Sequence, residues 1–217
     1  MPSVVFSGSV GRLEGVYSHN PFISAPLAVV LHPNSLQGGT MNNKVVCCLY
    51  KAFAMAGFSV LRFNFRGVGA SEGFYSGGIG ELSDAMSALD WLHSVNPGDR
   101  QVTVAGYSFG ALIAMQLLMR RPEISAFVSV CPPVNVYDFS FLAPCPVSGL
   151  IVNGDNDAVC PPEQVEKLVD KLNAQKGLDI QYQLLNNCNH SFCEHIPQLG
   201  DCVMKYLMKK KDLDIAV

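Results

Sequence analysis

Short apolar runs bounded by turn-forming residues alternate with longer stretches of helical periodicity, and this alternation sets the tightest limit on how the chain can fold. The runs are Val4–Ser7, Leu27–Leu31, Ser59–Asn64, Val102–Tyr107, Ala126–Cys131, Gly149–Asn153 and Ile180–Leu185. Each is a few residues rich in Val, Ile, Leu or Phe, which reads as a buried strand. Between them, helices are predicted at 41–56, 78–95, 109–120, 162–175 and 197–210. In the second of these, Leu82, Ala85, Leu89 and Leu92 share one face, the face that should pack on a sheet. Strands alternating with helices build βαβ units. The expected class is therefore α/β, a mainly parallel central sheet flanked by helices on both faces.

At 217 residues the chain fits one domain, residues 1–217, and no repeat or Pro/Gly/Ser-rich linker divides it. Apolar residues make up 49% and charged ones only 15%, the balance that strands covered on both faces require. A net charge of −3 without a basic stripe gives phosphate backbones little to bind, so no nucleic acid is expected as a partner. No apolar run approaches the roughly 20 residues of a membrane span, and Met1–Phe6 lacks the features of a secretory signal. The expectation is a soluble, cytoplasmic protein. Its 8 cysteines include no C-x-x-C pair and no metal-ligand spacing, so they are read as reduced and structural. Lys209–Lys211 reads as a solvated helix end that complements the helix dipole, and the tail Asp214–Val217 matches no targeting address.

Chemistry is concentrated in Gly106-Tyr107-Ser108-Phe109-Gly110, which follows an apolar run and precedes Ala111-Leu112-Ile113-Ala114-Met115. Gly-x-Ser-x-Gly between strand and helix lifts the serine above the sheet on a bend too tight for flanking side chains. It also sets the serine at a helix N-terminus, where backbone N–H groups favour developing negative charge. A serine hydroxyl needs a neighbouring base before it becomes a useful nucleophile. His19 and His93 fall in a turn and at a helix end, and His32 directly ends a strand. His190 instead lies in the polar loop Asn186–Phe192 after the last strand, whereas His195 falls where the final helix should begin. His190 is the expected base.

The exit of Leu150–Asn153 carries two carboxylates, Asp155 and Asp157. Asp155 directly follows Gly154 and is expected to cap the turn. Asp157 is further into the loop, from where it can reach His190. The order Ser108, Asp157, His190 follows the chain order of α/β hydrolases and differs from those of chymotrypsin and subtilisin. Parallel strands end on one edge of a sheet, so three residues distant in sequence can converge there.

With these residues in view, the chain resembles the α/β-hydrolase superfamily, in particular its small cap-less hydrolases related to dienelactone hydrolases and short-chain esterases. The matching segments are His32-Pro33-Asn34 with Gly38–Lys44, Arg62–Gly73, Gly106–Ala111, Pro132-Pro133-Val134 and Gly154–Asp157. Asp157 matches the second aspartate of the family's Gly-Asp-x-Asp segment. The resemblance implies a structural turn at Arg66–Ser71 and an oxyanion hole formed by the backbone N–H groups of Phe109 and Asn34. Pro33 stands where the family usually has glycine, and Asn189-His190-Ser191-Phe192 departs from the frequent Asp-His-Phe-Phe. A serine nucleophile argues against dienelactone hydrolysis itself, for which the family uses cysteine.

Larger relatives carry a lid between the strands that here end at Cys131 and begin at Gly149. The intervening Pro132–Ser148 is too short for a helical cap, so the site should be open. Val134, Tyr137, Phe139 and Phe141 either wall the site or serve as ordinary packing. The expected activity is hydrolysis of small-molecule carboxylic esters with short acyl groups through an acyl-enzyme, with no metal or organic cofactor. The alternatives are a thioesterase or acyltransferase using the same residues, or a binding protein on this fold without catalysis.

Overall fold

The computed structural model describes the backbone of residues 3–215 and the side chains of residues 3–210. Met1, Pro2, Ala216 and Val217, and the side chains from Lys211 onward, lie outside these limits, so the readings of the leader and tail fall outside the described residues in part. Eight strands form one sheet: β1 Ser3–Ser7, β2 Arg12–Ser18, β3 Leu27–Leu31, β4 Ser59–Phe63, β5 Val102–Tyr107, β6 Ile124–Val130, β7 Gly149–Gly154 and β8 Ile180–Leu185. The described residues also form five α-helices, four between strands and the last after β8: α1 Lys44–Met55, α2 Ile79–Ser94, α3 Phe109–Leu118, α4 Pro162–Asn173 and α5 Ile196–Ile215. The seven expected strands and five expected helices are present, with ends displaced by a few residues at most, apart from the longer last helix.

The strand absent from the sequence reading is β2. It pairs antiparallel with β1 (Val5↔Glu14) and with β4 (Tyr17↔Leu61). Its inward positions are Leu13, Gly15 and Tyr17, with Arg12 before them and Glu14 and Val16 between them. Alternation of this kind marks a strand, but with glycine at one inward position the apolar signal is too weak to register as a run. From β4 onward the order β4-β3-β5-β6-β7-β8 is parallel throughout.

Every residue of β3, β5 and β7 is buried. Successive side chains of a strand point to opposite faces, so complete burial means that both faces are covered. α1 packs against α5, α2 packs against α3, and both pairs contact the central strands. On α2, Leu82, Ala85, Leu89 and Leu92 are all buried, as their shared face predicts. A buried ion pair, Arg66 to Asp84 at 2.7 Å, ties the exit of β4 to α2. Ser71 donates to the Asn64 carbonyl at 2.7 Å and accepts from the Glu14 N–H at 3.0 Å. Both contacts fit a structural turn.

Strand order positions the site. From β3 the chain moves by α1 to β4 on one side, then returns by α2 to β5 on the other side of β3. The direction of winding thus reverses between β3 and β5, which opens a crevice at the carboxyl ends of those strands. The loops that leave them begin at His32 and at Ser108. Among the described residues no helix is long and apolar enough to cross a membrane.

Candidate active site

Ser108 joins β5 directly to α3 with φ 54° and ψ −119°. Positive φ is uncommon for a residue with a side chain and persists only where the surroundings enforce it. Here the enforcement is steric. A Cβ on Gly106 would lie 2.1 Å from the Gly110 carbonyl oxygen, and one on Gly110 would lie 2.3 Å from that of Leu31. The first glycine lets the elbow close, and the second lets α3 approach the end of β3. Ser108 is also anchored by its N–H, which donates to the Val130 carbonyl at 2.8 Å.

From this elbow a hydrogen-bonded chain runs through three loops. Ser108 Oγ lies 3.2 Å from His190 Nε2, and His190 Nδ1 lies 2.8 Å from Asp157 Oδ2. An ionised carboxylate only accepts, so Nδ1 carries the proton and Nε2 is left as the acceptor for the serine hydroxyl. The Asp157 side chain is fully buried, while that of His190 keeps 18% of its surface exposed. The acid is shielded and the base stays reachable. Asp157 Oδ1 accepts from the N–H groups of Val159 at 2.9 Å and Cys160 at 2.7 Å. Burial opposes charge on Asp157, but bonds from His190, the Cys160 N–H and the Cys131 thiol outweigh it and hold the carboxyl below its ordinary range.

Asp155 bonds differently from its expected role. Rather than capping its own turn, its Oδ1 accepts from the Cys188 N–H at 3.1 Å, while the Asn156 N–H donates to the Cys188 carbonyl at 3.0 Å. The acid loop therefore grips the loop that carries His190. His195 stands at the start of α5, where its carbonyl accepts from the Leu199 N–H at 2.9 Å. His32 is fully buried: its Nδ1 lies 2.7 Å from the Pro33 carbonyl, and its Nε2 accepts from the Phe65 N–H at 3.0 Å. Burial lowers its pKa to about 4, against a smaller opposing effect of the Pro33 bond, so it is neutral near pH 7.

Phe109 opens α3, and a first helical N–H has no carbonyl one turn back to bond. On the facing loop, the Asn34 carbonyl accepts from the N–H groups of Gln37 and Gly39, and its Oδ1 accepts from the Leu36 N–H. None of these bonds uses the Asn34 N–H. The close approach of Gly110 to Leu31 and His32 brings this loop against the elbow.

Two neighbours of the site are missing from the sequence reading. Cys131, at the end of β6 with φ 48°, is buried beside the acid, and its sulfur and one ligand atom each of Asp157 and His190 lie within 4.8 Å of one another. Tyr107, the residue before the serine, donates its hydroxyl to the His190 carbonyl at 2.8 Å. Both reach the site because parallel strands β5, β6 and β7 end on one edge, a juxtaposition that no local sequence pattern marks.

Of the candidate wall residues, Phe139 is buried and stacks on Phe141 at 5.7 Å, which is packing. Val134, Tyr137 and Phe139 line a cleft of about 590 Å³ against Leu168 and Leu172 of α4. Tyr137 also meets the Phe109 ring, at 6.3 Å. The segment Pro132–Ser148 contains only a single 3₁₀ turn, Ser140–Leu142, and no covering helix.

A doubly wound sheet with a strained serine elbow at its switch point is the architecture of the α/β hydrolases. A family model described as X-Pro dipeptidyl-peptidase (S15 family) matches residues 14–144, and the chain belongs to that family and with it to the α/β-hydrolase superfamily. It is 47% identical to an uncharacterized protein of Rickettsia prowazekii, over 96% of this chain and 89% of that protein. A protein of unknown function from Agrobacterium tumefaciens superposes with a TM-score of 0.95 at 52% identity, covering 97% of each chain. A serine hydrolase without a lid from Xanthomonas campestris superposes with a TM-score of 0.86 at 28% identity, covering 96% of this chain and 94% of that one. This chain is a lidless serine hydrolase homologue.

Proposed function

We propose that the protein hydrolyses carboxylic esters of short acyl groups through an acyl-enzyme on Ser108. The observation that carries this reading is the continuous chain Ser108 Oγ, His190 Nε2, His190 Nδ1, Asp157 Oδ2 at the strained elbow, with separations of 3.2 and 2.8 Å. As Oγ bonds to the ester carbon, His190 Nε2 takes the serine proton and the carbonyl π pair moves onto oxygen. The N–H groups of Phe109 and Asn34 hold that oxyanion, and Asp157 stabilises the imidazolium. Collapse expels the alcohol, which leaves with the proton from Nε2. Water then attacks the acyl-serine by the same sequence in reverse roles, releasing the acid and restoring Ser108.

The short segment Pro132–Ser148 supports the acyl preference. Without a cap, a long tail stays in water, and each exposed CH₂ forgoes roughly 0.8 kcal/mol of burial. The family description favours one second reading, a peptide substrate. A panel of p-nitrophenyl acetate, butyrate and palmitate, an acyl-CoA thioester and an Xaa-Pro p-nitroanilide tests both. The expected result is highest kcat/KM on acetate or butyrate. A monotonic gain out to palmitate overturns the acyl preference, and turnover confined to the anilide replaces the ester reading with the peptide one.

A further inference from the structure

From the bonds around His190 we infer that Tyr107 is a positioning residue that fixes the imidazole over Ser108; this rests on the reading of His190 as the base. The base loop follows β8, the outer strand of the sheet, where most side chains are at least partly exposed. Such a loop needs fastening to hold an imidazole at 3.2 Å from a serine. Three of its fasteners come from the acid loop: Asp157 on Nδ1, Asp155 on the Cys188 N–H, and the Asn156 N–H on the Cys188 carbonyl. These set the loop relative to the acid.

Tyr107 supplies a link to the strand that carries the nucleophile. Its hydroxyl donates to the carbonyl of His190 itself at 2.8 Å, its ring lies 5.2 Å from the imidazole at 34°, and the Phe192 ring meets it edge-on at 6.5 Å. Phe192 is fully buried and has φ 51°, so the loop turns tightly around the tyrosine. Tyr107 is itself buried and is separated from Ser108 by one peptide bond. Main chain of the nucleophile and main chain of the base are thereby tied through one rigid side chain. Burial, with the nearby Cys131 and Asp157 adding to it, pushes the phenol pKa well up, so the donor proton is retained across the working pH range.

Tyr107→Phe removes the donor and keeps the ring. A net hydrogen bond of this kind corresponds to a loss of up to about tenfold in kcat, with KM expected unchanged because the phenol hydroxyl is committed to the His190 carbonyl. The effect should vanish in a His190→Ala background, where Tyr107→Phe causes no further loss of residual turnover; a merely structural effect would persist there. Independently of turnover, the low-field proton resonance of His190 Nδ1 should exchange faster with water in Tyr107→Phe than in wild type. A serine-directed fluorophosphonate on wild type separates the two failures. If wild type is not labelled, the hydrolase reading fails and the resonance alone decides the role of Tyr107. If wild type is labelled but Tyr107→Phe keeps kcat within twofold, loses equally in the His190→Ala background, or leaves the resonance unchanged, the positioning role is overturned.

Discussion

The buried His32 should make the protein lose stability as pH falls from about 6.5 to about 4. Its imidazole is fully buried with Nε2 committed as acceptor of the Phe65 N–H, so protonation would set one N–H against another. Burial accordingly lowers its pKa to about 4. In the unfolded chain the same ring titrates near 6.5. Between those values the unfolded state binds a proton that the native state refuses, and stability rises with pH wherever the unfolded state holds more protons. The contribution is fully in place above about 6.5, decays as pH falls, and levels off below about 4. Its full size is about 3 kcal/mol, at 1.36 kcal/mol for each pKa unit. Urea unfolding of wild type and His32→Gln at intervals from about pH 7 to about pH 4.5 measures it. Asp157, Glu72, Asp138 and Glu123, whose carboxyls lie below their ordinary range, lose their contribution at lower pH and do so in both proteins. The difference between the two profiles therefore isolates His32: the wild type should fall more steeply. Parallel profiles over this range would refute the argument.

Three further outcomes follow from the site. Asp157→Asn keeps the shape of the hydrogen bond but favours the wrong tautomer of His190, and kcat on p-nitrophenyl acetate should fall about 10⁴-fold with the circular dichroism spectrum unchanged. Asp155→Asn weakens the grip on Cys188, and its denaturation midpoint should drop by the equivalent of roughly 0.5–2 kcal/mol while most kcat survives; an exchange of these two phenotypes would reverse the carboxylate assignment. Gly106→Ala places a Cβ 2.1 Å from the Gly110 carbonyl oxygen, so thermal unfolding should show a loss of several kcal/mol or an insoluble product, and a wild-type Tm would contradict the described elbow.

The parallel half of the sheet was legible because its strands are buried on both faces and read as unbroken apolar runs, β3 Leu27–Leu31 and β5 Val102–Tyr107 above all. β2 was not, because Arg12 and Glu14 interrupt it and Gly15 takes an inward position beside β4. Ser108, His190 and Asp157 could be named from the sequence since each sits on a loop leaving a recognisable strand, and the fold brings these three into hydrogen-bonding distance. Asp155 differs from expectation in its partner: a turn residue is expected to bond its own turn, whereas its acceptor faces a loop that is distant in sequence. Cys131 and Tyr107 were hidden for a similar reason. Their contacts cross between strands β5, β6 and β7 and the loop after β8, so they depend on register that no local pattern carries.

The most direct test of the central claim is intact-mass spectrometry after exposure to a fluorophosphonate. The account predicts one adduct per chain, mapped to Ser108 by peptide sequencing, no adduct in Ser108→Ala, and slow labelling in His190→Ala. Wild type left unlabelled, or Ser108→Ala labelled as fast as wild type, would contradict it.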